Sequence, residues 1–153
     1  MRGVRDEELS GDVGPPGVGD MAVVRDTVLR AEPLVAQAAF DSVLRPREIN
    51  VVLDDGIGDA DRARIDVTWY ASGAYSFHYT DTAELNWRFD RHPNPHSPEK
   101  HFHPPPDAKP HDAEPSCIDV EEPRLVALAV VKLWRRAYET GSLARLNTAE
   151  NPP

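Results

Sequence analysis

Five of the six histidines in this 153-residue chain fall within one stretch of twenty residues: His92, His96, His101, His103 and His111. They sit in two strings, Arg88-Phe89-Asp90-Arg91-His92-Pro93-Asn94-Pro95-His96 and His101-Phe102-His103-Pro104-Pro105-Pro106-Asp107. Imidazoles near neutral pH ligate transition metals, move protons or sense pH. Proton transfer suits this set best. Cleavage of RNA by its own 2′-hydroxyl needs a base for the hydroxyl proton, an acid for the departing 5′-oxygen and a cation for the charge that builds on phosphorus. His96, His101 and His103 are the acid–base candidates, and Asp90 is a carboxylate that can fix an imidazole tautomer. Arg88 and Arg91 are the phosphate binders, with His92 and His78 completing the substrate-binding set. No metal or other cofactor is required.

The same residues allow a second reading. His101-x-His103 offers two imidazoles from one extended segment, and His96 can add a third ligand, as can Asp90; zinc is the metal such a set suits, although no spacing as tight as His-Glu-x-x-His is present. The chain would then be a non-enzymatic module that holds metal or docks a partner. A third reading is a solvated Pro/His loop on a structural domain. Nucleophile chemistry is poorly supported, because Ser116-Cys117 lacks a Gly-x-Ser-x-Gly elbow. The acidic run Asp54–Asp61 lacks the order of a calcium loop and reads as a hairpin connection.

The elements that must position these residues follow from periodicity. Residues 1–20, rich in glycine and acids, read as a disordered tail, with Met21 a candidate true start. Residues 21–141 form a single domain. Apolar spacing predicts two helical pieces, 22–31 and 33–44, parted by Pro33, or one helix kinked there. Four alternating runs follow, Glu48–Asp54, Arg64–Tyr70, Ala74–Tyr79 and Glu84–Asp90. One face carries Ile49, Val51, Leu53, Ile65, Val67, Trp69, Tyr75, Phe77, Tyr79, Leu85, Trp87 and Phe89. The other carries Arg64, Asp66, Thr68, Ser76, His78, Asn86, Arg88 and Asp90, either a solvated face or the floor of a groove. Eight prolines between 91 and 120 predict a long loop, of which 88–111 is the histidine-rich functional part. Acids before Pro123 and Gly141 after the last apolar position bracket a final helix, with 142–153 a second disordered tail. The expected fold is α+β: a four-stranded antiparallel meander packed by an N-terminal helical region and a C-terminal helix, with a long Pro/His-rich loop.

Bulk properties narrow the partners. Cys117 is the only cysteine, which excludes an intrachain disulfide and points to a reducing, cytoplasmic setting. No apolar run is long enough to span a membrane, and Asp6, Glu7 and Glu8 do not begin a secretory signal. The net charge of −9, with only three lysines, suits a salt-rich cytoplasm or equally an acidic protein of a GC-rich genome, and it disfavours broad, non-specific nucleic-acid binding. Arg88–His111 nevertheless carries one net positive charge before any histidine titrates.

At the two histidine strings the chain resembles the TumE-like family of toxin–antitoxin proteins, and especially haloarchaeal relatives. The likeness rests on the Arg-x-Asp of Arg88 and Asp90, the Pro-His of Pro95-His96 and the block His101-Phe102-His103, and it covers residues from about 47 to 137. It implies a cytoplasmic toxin acting on RNA and restrained by a cognate antitoxin protein. The prolines after His103 and the leading region Met21–Leu44 depart from the family pattern and look like features of a haloarchaeal branch.

Overall fold

The computed structural model describes residues 14–92 and 99–148. Helix α1, Val18–Ala31, is followed by seven strands: β1 Val35–Phe40, β2 Ile49–Leu53, β3 Ala63–Trp69, β4 Tyr75–Asp81, β5 Asn86–Arg91, β6 Lys100–His103 and β7 Glu114–Pro115. Helix α2, Pro123–Thr140, closes the order. All seven strands form one antiparallel sheet in sequence order, β1-β2-β3-β4-β5-β6-β7, so the fold is a seven-stranded meander rather than the four-stranded one expected.

The four expected strands are β2 to β5, with the expected faces. Ile49, Val51, Leu53, Ile65, Val67, Trp69, Tyr75, Phe77, Tyr79, Trp87 and Phe89 are all buried, and both helices belong to the same core. Trp87 stacks on Tyr79 at 4.9 Å between ring centroids. Alternation thus locates the interior wherever one sheet face is buried and the other is wet.

The corrections are at the two sides of the meander. Residues 33–44 contain strand β1, not a second helix. Glu32 precedes Pro33 and is therefore extended (φ −125°, ψ 108°), which ends α1. Its buried carboxylate accepts the Leu34 N–H at 2.9 Å and Arg135 Nε at 2.9 Å, turning the chain away from the helix axis. Pairing of Ala38 with Val51 and Phe40 with Ile49 then outweighs the helix preference of an Ala-rich segment. On the other side, β6 fits the proline-free interval after Pro98 and before Pro104, and Pro115 lies on the edge strand β7, where a missing N–H costs no ladder bond.

The described parts of both expected tails, 14–20 and 142–148, also contribute structure, and the rest of each lies outside the described residues. Gly17 N–H donates to Trp69 O and Ala71 N–H to Pro15 O, each at 2.8 Å, and α1 begins at Val18. Leu146 is buried, and Asn147 binds Cys117 N–H and the Pro115 carbonyl, at 2.7 and 2.9 Å. Helix α2 has the expected bounds, Pro123 at its start and left-handed Gly141 (φ 70°) after its end. Among the described residues no helix is long and apolar enough to cross a membrane.

Candidate functional site

Two neighbouring strands build the site. In β5, Trp87 and Phe89 point into the core, so the pleat turns Arg88 and Asp90 to the helix-free face. In β6, Phe102 is the core residue, and His101 and His103 flank it on that same face. Register sets Arg88 opposite His103 and Asp90 opposite His101, while β4 adds His78 opposite Arg88 and Ser76 opposite Asp90. The result is two adjacent rows across three strands, His78–Arg88–His103 and Ser76–Asp90–His101.

Asp90 is the hub of these rows and is nearly inaccessible. Its Oδ2 accepts Arg88 Nε at 2.8 Å and His103 Nε2 at 3.0 Å. Its Oδ1 is buried without a well-formed hydrogen bond, although the Ser76 hydroxyl is near enough to act on the carboxyl's charge. Burial pushes the Asp90 carboxyl up; the His103 bond, the Arg88 charge and Ser76 outweigh it and hold the group below the usual carboxylate range.

His103 is also buried, and its Nδ1 lies 3.2 Å from the Lys109 carbonyl oxygen. Both ring nitrogens thus face oxygen atoms, so the ring is held from both sides. The segment that supplies the carbonyl straps over this end of β6. On one side Asn86 N–H donates to Pro106 O at 2.7 Å, and on the other Glu114 pairs with Phe102. His103 is therefore a clamp between Asp90 and the strap.

The more open imidazoles differ from it. His101 is half-buried, its ring centroid 6.4 Å from that of His103, and neither of its nitrogens is bonded among the described residues. His92, half-buried at the end of β5, is fixed through its backbone N–H to Glu99 O at 2.8 Å. Burial pushes its pKa below the ordinary histidine value; Asp90 opposes this, and the charges of Arg88, His101 and His103 reinforce it. His92 is a neutral imidazole at pH 7 that feels all four site residues. His78 Nε2 meets Asn86 Oδ1 at 3.0 Å, which leaves its Nδ1 as the open nitrogen. Arg88 bonds only through Nε among the described residues, so its two terminal nitrogens remain free to grip an anion.

Two sequence candidates stand apart from this group. Arg91 is one residue out of phase with Arg88 and Asp90 and lies on the helix-bearing face, opposite Tyr75 and Lys100, with its guanidinium on Glu99 and the Gly73 carbonyl. Period two alone separates it from Arg88. His96 lies outside the described residues. The roles of Ser76 and of the Lys109 carbonyl carried no local signal, since both depend on cross-strand register and on the path of the strap. Among the described residues no three His, Cys, Asp or Glu side chains gather as a metal cage.

The family model described as "Toxin TumE" matches residues 25–139, a span that begins within α1 and therefore takes in most of the leading region read as a branch feature. No curated protein matches the chain, and no solved structure does.

Proposed function

The chain belongs to the TumE toxin family, and from that premise we propose that it is the toxin of a toxin–antitoxin pair and acts as a metal-independent endoribonuclease. The observation that carries this reading is the pair of half-buried imidazoles, His92 and His101, beside the free end of Arg88 on one strand-built floor. Neutral His92 takes the proton of a ribose 2′-hydroxyl, and the 2′-oxygen bonds to phosphorus. The bond to the 5′-oxygen breaks as protonated His101 gives that oxygen its proton. Arg88 meets the charge on the non-bridging oxygens. The products are a 2′,3′-cyclic phosphate and a 5′-hydroxyl. Asp90 and His103 hold Arg88 and the β5–β6 register in place, so they are positioning residues.

Zinc held by His96, His101 and His103 is the poorer fit. Both nitrogens of His103 are already held by oxygen partners within the protein, so neither points out to a metal. The acidic, lysine-poor composition supports a haloarchaeal branch and a salt-rich cytoplasm as the place of action. There, diffuse attraction to RNA is screened, and recognition falls to close contacts such as those of Arg88.

The test is growth. Expression without the antitoxin should slow growth, and His101→Ala should restore it while the protein remains folded and abundant, because loss of a positioned acid removes about 10²–10⁴-fold in rate. If the His92→Ala/His101→Ala protein stays as toxic as the parent, the nuclease reading is wrong and a binding module replaces it.

A further inference from the structure

The two edges of the sheet are treated differently. At the β7 edge the strand is two residues long, Pro115 has no N–H to offer, and Asn147 binds the Pro115 carbonyl at 2.9 Å and Glu114 Oε1 at 3.0 Å. That edge is closed. At the β1 edge the strand is Val35-Ala36-Gln37-Ala38-Ala39-Phe40, six residues with no charge and no proline, and among the described residues no backbone group bonds to Ala36–Phe40 from the outer side. A bulge between Val35 and Gln37 is its only visible protection. Uncharged edge strands with free N–H and C=O groups pair with other strands.

The apolar surface converges on the same edge. Among the described residues the exposed large hydrophobics are Val18, Val23, Leu29, Val43 and Leu44, and every one lies on α1 or on the turn that joins β1 to β2. Val43 and Leu44 are 96% and 93% exposed. Val18, Ala22, Arg25 and Leu29 recur at helical spacing on one stripe of α1, and the Arg25 guanidinium lies 5.5 Å over the Phe40 ring. That contact places this side of α1, with the exposed Val18 and Leu29, beside the β1 edge.

Charge selects the occupant. Residues 18–48 hold five acids and four arginines, a balance of −1, while the whole chain carries −9. Most of the chain's negative charge therefore lies outside this border, and two copies meet here almost without net charge. An uncharged antiparallel edge is also self-complementary about a two-fold axis. We propose that β1 pairs antiparallel with β1 of a second copy, giving one continuous fourteen-stranded sheet with the two α1 stripes side by side. The site strands lie four and five positions away, about 19–24 Å at the usual strand spacing, so both sites stay open in the dimer.

Sedimentation of the full chain at about 0.1 mM, a hundredfold above a micromolar Kd, tests this. The expected mass is twice the 17.0 kDa of one chain. Gln37→Lys and, separately, Leu44→Asp should each return it to one chain without lowering the melting temperature, and Glu114→Lys at the closed edge should leave it dimeric. A wild-type protein that sediments as one chain, or that is one chain alone and pairs only with an added strand-forming peptide, overturns the proposal. So does a dimer that survives both β1-edge substitutions with the fold intact.

Discussion

Asp90 and His103 meet at 3.0 Å from diagonal positions on β5 and β6, and both side chains are more than nine-tenths removed from solvent. The pair joins the strand floor of the site to the strap over it. Taking a hydrogen-bond partner from a buried charge typically costs about 3–5 kcal/mol, because the Asp90 carboxylate is left in a poor dielectric. His103→Ala should therefore destabilise the protein on that scale in denaturant unfolding. A loss below about 1 kcal/mol would show that the pair is solvated.

The lowered pKa of Asp90 gives a pH signature. Its folded value is below its unfolded value, so the stability it adds is fully present above the unfolded value near pH 4 and is lost as pH falls through the folded one. His92 has the same sign, since its folded value is also lowered; its share is complete above about pH 6.5 and declines on acidification from there. Melting temperature against pH should fall in two stages, below about 6.5 and again below about 4. His92→Gln should flatten the first stage and Asp90→Asn the second. A curve unchanged by either substitution contradicts the electrostatic account of the site.

Trp87 tests the core. It is fully buried, stacked on Tyr79 and edge-on to Phe89, and its indole N–H has no hydrogen-bond partner among the described residues. Trp87→Ala should cost about 3–5 kcal/mol through the cavity it leaves. Trp87→Phe should cost only about 1–2 kcal/mol, because the smaller ring also removes an unsatisfied donor. Equal losses for the two would mean that the N–H is paired.

A disordered tail to residue 20 would be dispensable for stability. The ladder from Pro15 to Gly17 along the end of β3, and the first turn of α1, imply otherwise. Deletion of residues 1–20 should lower Tm by more than about 5 °C, the scale of 1 kcal/mol in a domain of this size. An unchanged Tm would show that these bonds add nothing.

What could be read from the residues and what could not divides along physical lines. Strands β2 to β5 were legible because each has one wet and one buried face, and the same alternation put Arg88, Asp90 and His78 on one surface. It also held the information that Arg91 does not join them. Strand β1 was missed because Ala-rich segments fit either period and only pairing with Ile49–Leu53 decides between them. Strand β6 was hidden among prolines. The clustering of histidines marked β5 and β6 but not what each imidazole meets, since His103 differs from His101 only in what register and the strap bring to its nitrogens.

The most direct test of the central claim is the chemistry of the cut end. Purified protein should cleave single-stranded RNA in excess EDTA, leaving a 2′,3′-cyclic phosphate and a 5′-hydroxyl. His101→Ala should lower the rate by about 10²–10⁴-fold, and Arg88→Lys should weaken it because an ammonium cannot reproduce a two-pronged grip on phosphate. The acid limb of kcat/KM should lie below pH 6.5, where His92 gains a proton. Cleavage that stops in EDTA and returns with zinc or manganese, or that leaves a 3′-hydroxyl, contradicts a metal-free transfer by His92 and His101.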